Sequence, residues 1–225
     1  MKMYCKALMA AFLAAHVALA HAATDWIEGK NYFLITPPRK TGAAPGKVEV
    51  TEVFSYGCPA CNVFVPVMHR LKQALPPNSV LSYMPASFNS AEDWPMFQLA
   101  FCTAQVLGIA EQNQDAMFDA VWKTGELAVI DPATGRIKNR LPTIEDAARF
   151  YERRSGVPAE KFVSTSKSFA VDTKIRSIED SLQAFRVDRT PTIIVNGKYR
   201  LHTESAGGDD QVVELVNWLV AKETK

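Results

Sequence analysis

The sequence predicts an α/β chain in which strand and helix segments bracket an all-helical insert. Three observations carry that expectation. Strand patterns at 32–35, 47–54 and 80–86 precede the insert, and others at 192–195 and 199–201 follow it. Between them, residues 89–186 show only helical spacing and helix-start signals. Two cysteines three apart, Cys58 and Cys61, stand where the second strand gives way to a helix. The 225 residues are 48% hydrophobic, enough for a real core, and the formal charge is only +1. With no basic block, nothing points to nucleic acid or a membrane surface as a partner.

Residues 1–22 read as a secretory signal peptide. Lys2 and Lys6 give the positive start, Ala7 to Leu19 is apolar apart from His16, and Ala20-His21-Ala22 is a small-x-small cleavage pattern. An uncleaved anchor would need roughly 20 apolar residues, more than this run supplies. Cleavage removes Cys5 and leaves Cys58, Cys61 and Cys102 in a chain starting at Ala23. Export implies an oxidising compartment, where a CxxC pair acts on the disulfides of other proteins.

Taken in order, Tyr32 to Ile35 is a first strand, ended by Thr36-Pro37-Pro38, and a Gly- and Pro-containing loop runs to Gly46. Lys47 to Phe54 is a stronger strand, with Val48, Val50, Glu52 and Phe54 on one face and Glu49, Thr51 and Val53 on the other. The helix after the cysteines places Val63, Val67, Leu71 and Leu75 on one buried face, with Pro66 expected to kink or break it. Val80 to Ala86 is the third strand. Capping boxes at Ser90–Asp93 and Thr143–Asp146 open helices in the insert. Gln112 to Trp122, the stretch after Pro158, and the Ile175–Phe185 pattern supply the others. Asn196-Gly197 between Thr192–Val195 and Tyr199–Leu201 is the strongest short hairpin signal. An amphipathic helix over Gln211 to Val220 closes the chain.

The dithiol carries the chemistry. Residues three apart on a helix share a face, so both sulfurs can meet. A helix N-terminus offers positive potential and unpaired N–H groups, which favour a thiolate at Cys58, the nucleophile of disulfide exchange. Pro59 suits the first helical position because its missing N–H would lack a partner there anyway. A zinc site would need about four ligands, and no second CxxC or His-rich spacing provides them. Glu52 shares its face with apolar residues, so it is either a buried carboxyl of raised pKa that handles the proton of Cys61, or a strand-end glutamate that reaches water. Cys102, set among Leu99, Phe101 and Leu107, reads as a buried structural thiol.

Phe54 to Cys61, Arg189-Thr190-Pro191-Thr192, Val195-Asn196-Gly197-Lys198-Tyr199 and the terminal helix together resemble the DsbA family of thioredoxin-fold thiol oxidoreductases. The resemblance spans nearly the whole mature chain. It implies a thioredoxin fold with an inserted all-helical domain: 23–88 and 187–225 form the thioredoxin-like domain and 89–186 the insert. It also implies a cis Thr190–Pro191 bond lying against the dithiol, with Thr190 tuning reactivity and the exposed backbone edge taking an extended substrate. Glu52 matches the buried acid of that family. No metal or organic cofactor is required.

The family further implies a periplasmic monomer that oxidises reduced secreted proteins or peptides and is reoxidised by a membrane oxidase of the DsbB type. Two departures bear on its strength. The dipeptide is Pro59-Ala60, where the best-known members have Pro-His, so no histidinium sits beside the thiolate. Thr190 is similar to the residue of the disulfide isomerases, and Pro66 follows Cys61 by five residues as in thioredoxins. A reductase or isomerase using the same site is therefore one alternative, although the separate N-terminal dimerisation domain of DsbC isomerases is not seen. A peptide-binding chaperone is another.

Overall fold

The computed structural model describes residues 25–224; the signal-peptide reading and Cys5 lie outside them. Among the described residues five strands form one mixed sheet in the order β1-β5-β4-β2-β3. These are β1 (Phe33–Leu34), β2 (Val48–Phe54), β3 (Ser79–Pro85), β4 (Thr192–Val195) and β5 (Tyr199–Leu201). β2 pairs parallel with β3 and antiparallel with β4, which places it at the centre. Its two faces are both buried, as a central strand requires.

Helices α1 (Pro59–Ala74) and α8 (Asp209–Glu223) cover one face. There Phe64, Met68 and Leu71 of α1, with Leu215 and Leu219 of α8, pack on Val48, Val50, Ile193 and Val195. Between β3 and β4 come α2 (Trp94–Val106), α3 (Gln114–Trp122), α4 (Ile144–Ser155), α5 (Ala159–Ser166) and α6 (Phe169–Ala184). Of these, α2 and α6 close the opposite face, where Cys102, Ile178 and Leu182 meet Val53 and Ile194. The alternation read along β2 thus separates Val48 and Val50 from Val53, while Phe54 at the strand's end packs in a third cluster with Phe101 and Phe118 of the insert. A short α7 (Thr203–Ala206) links β5 to α8. No helix among the described residues is long and apolar enough to cross a membrane.

Local chemistry explains most boundaries. Asn196 and Gly197 both take positive φ, 53° and 62°, as the two-residue hairpin signal demands. The Thr143–Asp146 capping box is present in full at the start of α4. Ser90–Asp93, by contrast, is not a capping box. Asn89 caps a single tight turn over Ser90–Glu92, Asp93 adopts left-handed backbone, and α2 starts only at Trp94 with Pro95 in its first turn.

Of the kink or break expected at Pro66, the break is absent: α1 runs from Pro59 to Ala74 with Pro66 inside it, and the expected buried face is corrected. Its buried face is Cys61, Phe64, Val67, Met68 and Leu71, whereas Val63 is 73% exposed. The helix is rotated so that Cys61 and Phe64, rather than Val63, turn to the sheet. Truncating the two neighbours should therefore have unequal effects. Phe64→Ala should cost about 3–5 kcal/mol in urea unfolding and Val63→Ala no more than about 0.5 kcal/mol.

Candidate active site

Cys58 is the residue that caps α1. Its backbone is extended (φ −83°, ψ 117°) and its Sγ accepts the N–H of Cys61 at 3.3 Å, so one unpaired donor of the first turn is spent on sulfur. The loop before it is pinned by Ser55, whose carbonyl accepts the Cys58 N–H at 3.1 Å and whose Oγ accepts the Gly57 N–H at 3.2 Å. Across the cleft, the Thr190–Pro191 peptide is cis, as is Thr36–Pro37, which the sequence did not announce. The Cys58 thiol donates to the Thr190 carbonyl at 3.6 Å. The sequence-predicted residues Cys58, Cys61, Pro59, Ala60, Thr190 and Pro191 are thus gathered at the N-terminus of α1.

The two sulfurs are unequal. Cys58 keeps 4% of its surface exposed and Cys61 none. The Cys58 thiol is lowered from 9.0 to about 6, first by the hydrogen bond from the Cys61 side chain and then, against the cost of burial, by the Thr190 side chain and the backbone N–H groups of Cys61 and Ala60. No cation contributes among these causes. Cys61 moves the other way, pushed well above its usual range by burial and by its partner's negative charge. All three described cysteines are free thiols, and Cys102 lies in the core on the far face of the sheet. Burial raises its thiol to about 12, which suits a structural residue.

Glu52 is on β2, 2% exposed. Burial, then the negative charges of Cys58 and Asp115, raise it from 4.5 to about 8. Of the two sequence readings, the buried one is what the fold contains. A carboxyl of that pKa is protonated at neutral pH and can give a proton to a departing thiolate. Among the described residues no group of three or more His, Cys, Asp or Glu is placed to hold a metal ion.

Sequence reasoning missed the aromatic bracing of the loop. The Trp122 indole N–H donates to the Tyr56 carbonyl at 2.7 Å, and the Tyr56 hydroxyl donates to Gln114 Oε1 at 2.7 Å. Tyr56 also packs edge-on against Phe118, with ring centroids 5.1 Å apart. Gly57 is required by sterics, since a Cβ there would lie 2.7 Å from Cδ1 of Trp94. These contacts join residues far apart in sequence, and no spacing rule announces them. A groove beside the dithiol, lined by Ala60, Val63, Phe64, Thr190 and Pro191, was also unforeseen in its extent and gives the exposed Val63 a place.

Comparison with known proteins agrees with this geometry. A family model described as Thioredoxin matches residues 36–214. The thiol:disulfide interchange protein DsbA of Pseudomonas aeruginosa is 32% identical over 211 residues, 94% of this chain and 92% of that protein. Its counterpart from Pseudomonas syringae pv. tomato is 33% identical over 204 residues, 91% and 87% of the two chains. The crystal structure of Pseudomonas aeruginosa DsbA superposes with a TM-score of 0.73 at 33% identity, covering 89% of this chain and 96% of the other. That of the Xylella fastidiosa oxidoreductase DsbA gives 0.73 at 28% identity, covering 87% and 96%.

The buried carboxyl makes a signed prediction. Because the folded pKa of Glu52 lies above its unfolded value, it costs nothing below about pH 4.5, and stability falls as pH rises from there to about 8. Cys58 acts oppositely: its lowered pKa gives the reduced fold stability that is lost as pH falls through about 6. Subtracting Glu52→Gln from wild type, both reduced, cancels the cysteine term. Urea unfolding should then show wild type losing on the order of 4 kcal/mol more than the variant between pH 4.5 and pH 8.

Proposed function

The chain belongs to the DsbA family of thiol:disulfide oxidoreductases, a thioredoxin fold carrying a helical insertion, and from that premise we propose that it is an exported disulfide oxidase. The observation that carries this reading is the inequality of the two sulfurs. Cys58 is the hydrogen-bonded cap of α1 and Cys61 is wholly enclosed, so attack and departure are assigned to different atoms.

In the oxidised pair a substrate thiolate attacks Sγ of Cys58, a new S–S bond forms, and the bond to Cys61 breaks with its electron pair going to Cys61. The Cys61 thiolate, disfavoured by burial, takes the proton held by Glu52. A second substrate thiolate then attacks the substrate's own sulfur. Cys58 leaves as a thiolate, a good leaving group at its low pKa, and the substrate carries away the disulfide while the enzyme keeps two reduced cysteines. Thr190 and Pro191 border the groove in which an extended substrate would lie, and Pro59 and Ala60 set the immediate surroundings of the sulfur.

The setting follows the same reading. Residues 1–22 direct export and the mature chain acts in the periplasm as a monomer. Its substrates are reduced secreted proteins and peptides, and a DsbB-type membrane oxidase restores the disulfide. Residues 23–88 with 187–225 form the catalytic domain and 89–186 its helical cover. The opposite direction, reduction or isomerisation, is the second reading. It is favoured by one observation, Ala60 rather than a basic residue between the two cysteines.

A redox titration of Cys58–Cys61 against glutathione separates the two. An oxidase should have a potential less negative than the glutathione poise of about −220 to −260 mV, and a value near −270 mV would assign the reducing role. The potential should fall by about 59 mV per pH unit below pH 6 and by about 30 mV per unit above it, because one of the two protons is then already lost. Ala60→His should lower the thiol further, favour the reduced form, and raise the potential by about 30 mV for each pKa unit gained.

A further inference from the structure

A second cavity, sharing no lining residue with the groove at Thr190 and Pro191, lies next to the redox loop. Its floor is Gly57, the residue directly before Cys58, and its walls come from the end of α3 and the loop beyond it. Val121, Ala128, Val129, Ile130 and Pro132 make those walls apolar, together with the ring of Trp122. Glu92 and Lys123 are the charged residues among its lining. We infer that this cavity is a substrate subsite, taking one aliphatic or aromatic side chain placed within about two residues of the cysteine that bonds to Cys58. The inference rests on the reading that polypeptide thiols are the substrates, but not on the direction of electron flow.

Reach supports it. A mixed disulfide sets the two Cα atoms about 5.5–6 Å apart. Gly57 Cα is about 3.8 Å from that of Cys58, and an extended substrate advances about 3.3 Å per residue. A side chain one or two positions from the bonded cysteine is therefore within reach of Gly57 and the cavity it lines. Ala60, Thr190 and Pro191 border the first groove, so both cavities adjoin the segment that carries Cys58.

The walls are built rather than incidental. The Leu127 N–H donates to the Ala120 carbonyl at 2.9 Å, and the Lys138 N–H to the Val129 carbonyl at 2.8 Å, fixing the loop to α3 and to itself. Trp122 ties this wall to the redox loop through its bond to the Tyr56 carbonyl, one residue before the floor. That bond also bears on the chemistry of the occupant, beside the predominantly aliphatic walls. The indole N–H is already spent, so a polar side chain entering among the aliphatic walls would lose water without gaining that donor. An apolar one loses nothing.

The test uses Cys61→Ser, which holds mixed disulfides at Cys58, and measures the equilibrium exchange of bound glutathione for single-cysteine peptides by mass spectrometry. The peptides carry Gly, Leu or Phe one or two positions to either side of the cysteine. Leu and Phe should be preferred to Gly by about tenfold on one side, the scale for one largely buried apolar side chain. In the same background Ala128→Leu, which fills the cavity, should bring that preference to within about twofold. The Trp122 indole N–H resonance should shift with the Leu peptide and not with the Gly peptide, a readout needing no variant of the wall. Equal affinity for all peptides, an unmoved indole, or a preference that survives filling overturns the subsite. A reducing potential beside an intact preference would instead overturn the oxidase reading and leave the subsite standing, whereas failure to form any mixed disulfide would overturn both.

Discussion

The contact on which the site depends is the hydrogen bond from the Cys61 N–H to Sγ of Cys58. A helix leaves its first N–H groups without partners, and proteins usually meet them with an oxygen from Ser, Thr, Asp or Asn. Here the cap is sulfur. The donor that would otherwise be orphaned is aimed at the atom that must carry negative charge, and the rest of the first turn adds its dipole in the same direction. Pro59 makes this inexpensive, having no N–H to satisfy. Folding and reactivity are thus met by the same bond, and α1 cannot begin elsewhere without losing both.

Everything else in the site follows from what lies underneath that helix end. β2 is central in the sheet and buried on both faces, so whatever it presents beneath α1 is removed from water. It presents Glu52, and desolvation holds that carboxyl near 8. Had β2 been an edge strand, the same residue would have kept water and an ordinary pKa. The burial that enforces the proton on Glu52 also encloses Cys61, whose thiolate is the species most in need of one. The same low-dielectric floor therefore disfavours charge on both groups alike.

Much of this was legible from the chain alone, because it depends on local rules. Cys58-Pro59-Ala60-Cys61 after an apolar strand, Asn196-Gly197 between two short strands, and Thr143 three residues before Asp146 each specify their geometry within a few residues. The face of α1 was misjudged because Val63, Val67 and Leu71 form an acceptable stripe by hydropathy; only the docking of Cys61 and Phe64 on the sheet selects the neighbouring one. Asn89 displaced Ser90 as the cap because both are good capping residues and Pro95 delayed the helix. Trp94 over Gly57 and Trp122 on Tyr56 were invisible, since each contact crosses from the insert to the redox loop. Long-range packing leaves no periodicity to read.

Those two tryptophans make the insert part of the chemistry rather than a lid placed on it. Trp94 fills the space a side chain at 57 would need, and Trp122 holds the carbonyl of the residue before, so the peptide leading into Cys58 is clasped from the insert side. The main stabilisation of the thiolate is itself built from directional bonds, from the side chains of Cys61 and Thr190 and from two backbone N–H groups. Hydrogen bonds decay steeply with misalignment, whereas an attraction to a charge a few ångströms away tolerates it. A chain that has alanine at position 60 must therefore hold its loop more exactly in place than one with a histidinium beside the sulfur. The aromatic clasp supplies that constraint, and one of its members, Trp122, also lines the cavity next to it. In this protein the bond from Trp122 to the Tyr56 carbonyl joins the loop that holds the thiolate to the wall of that cavity.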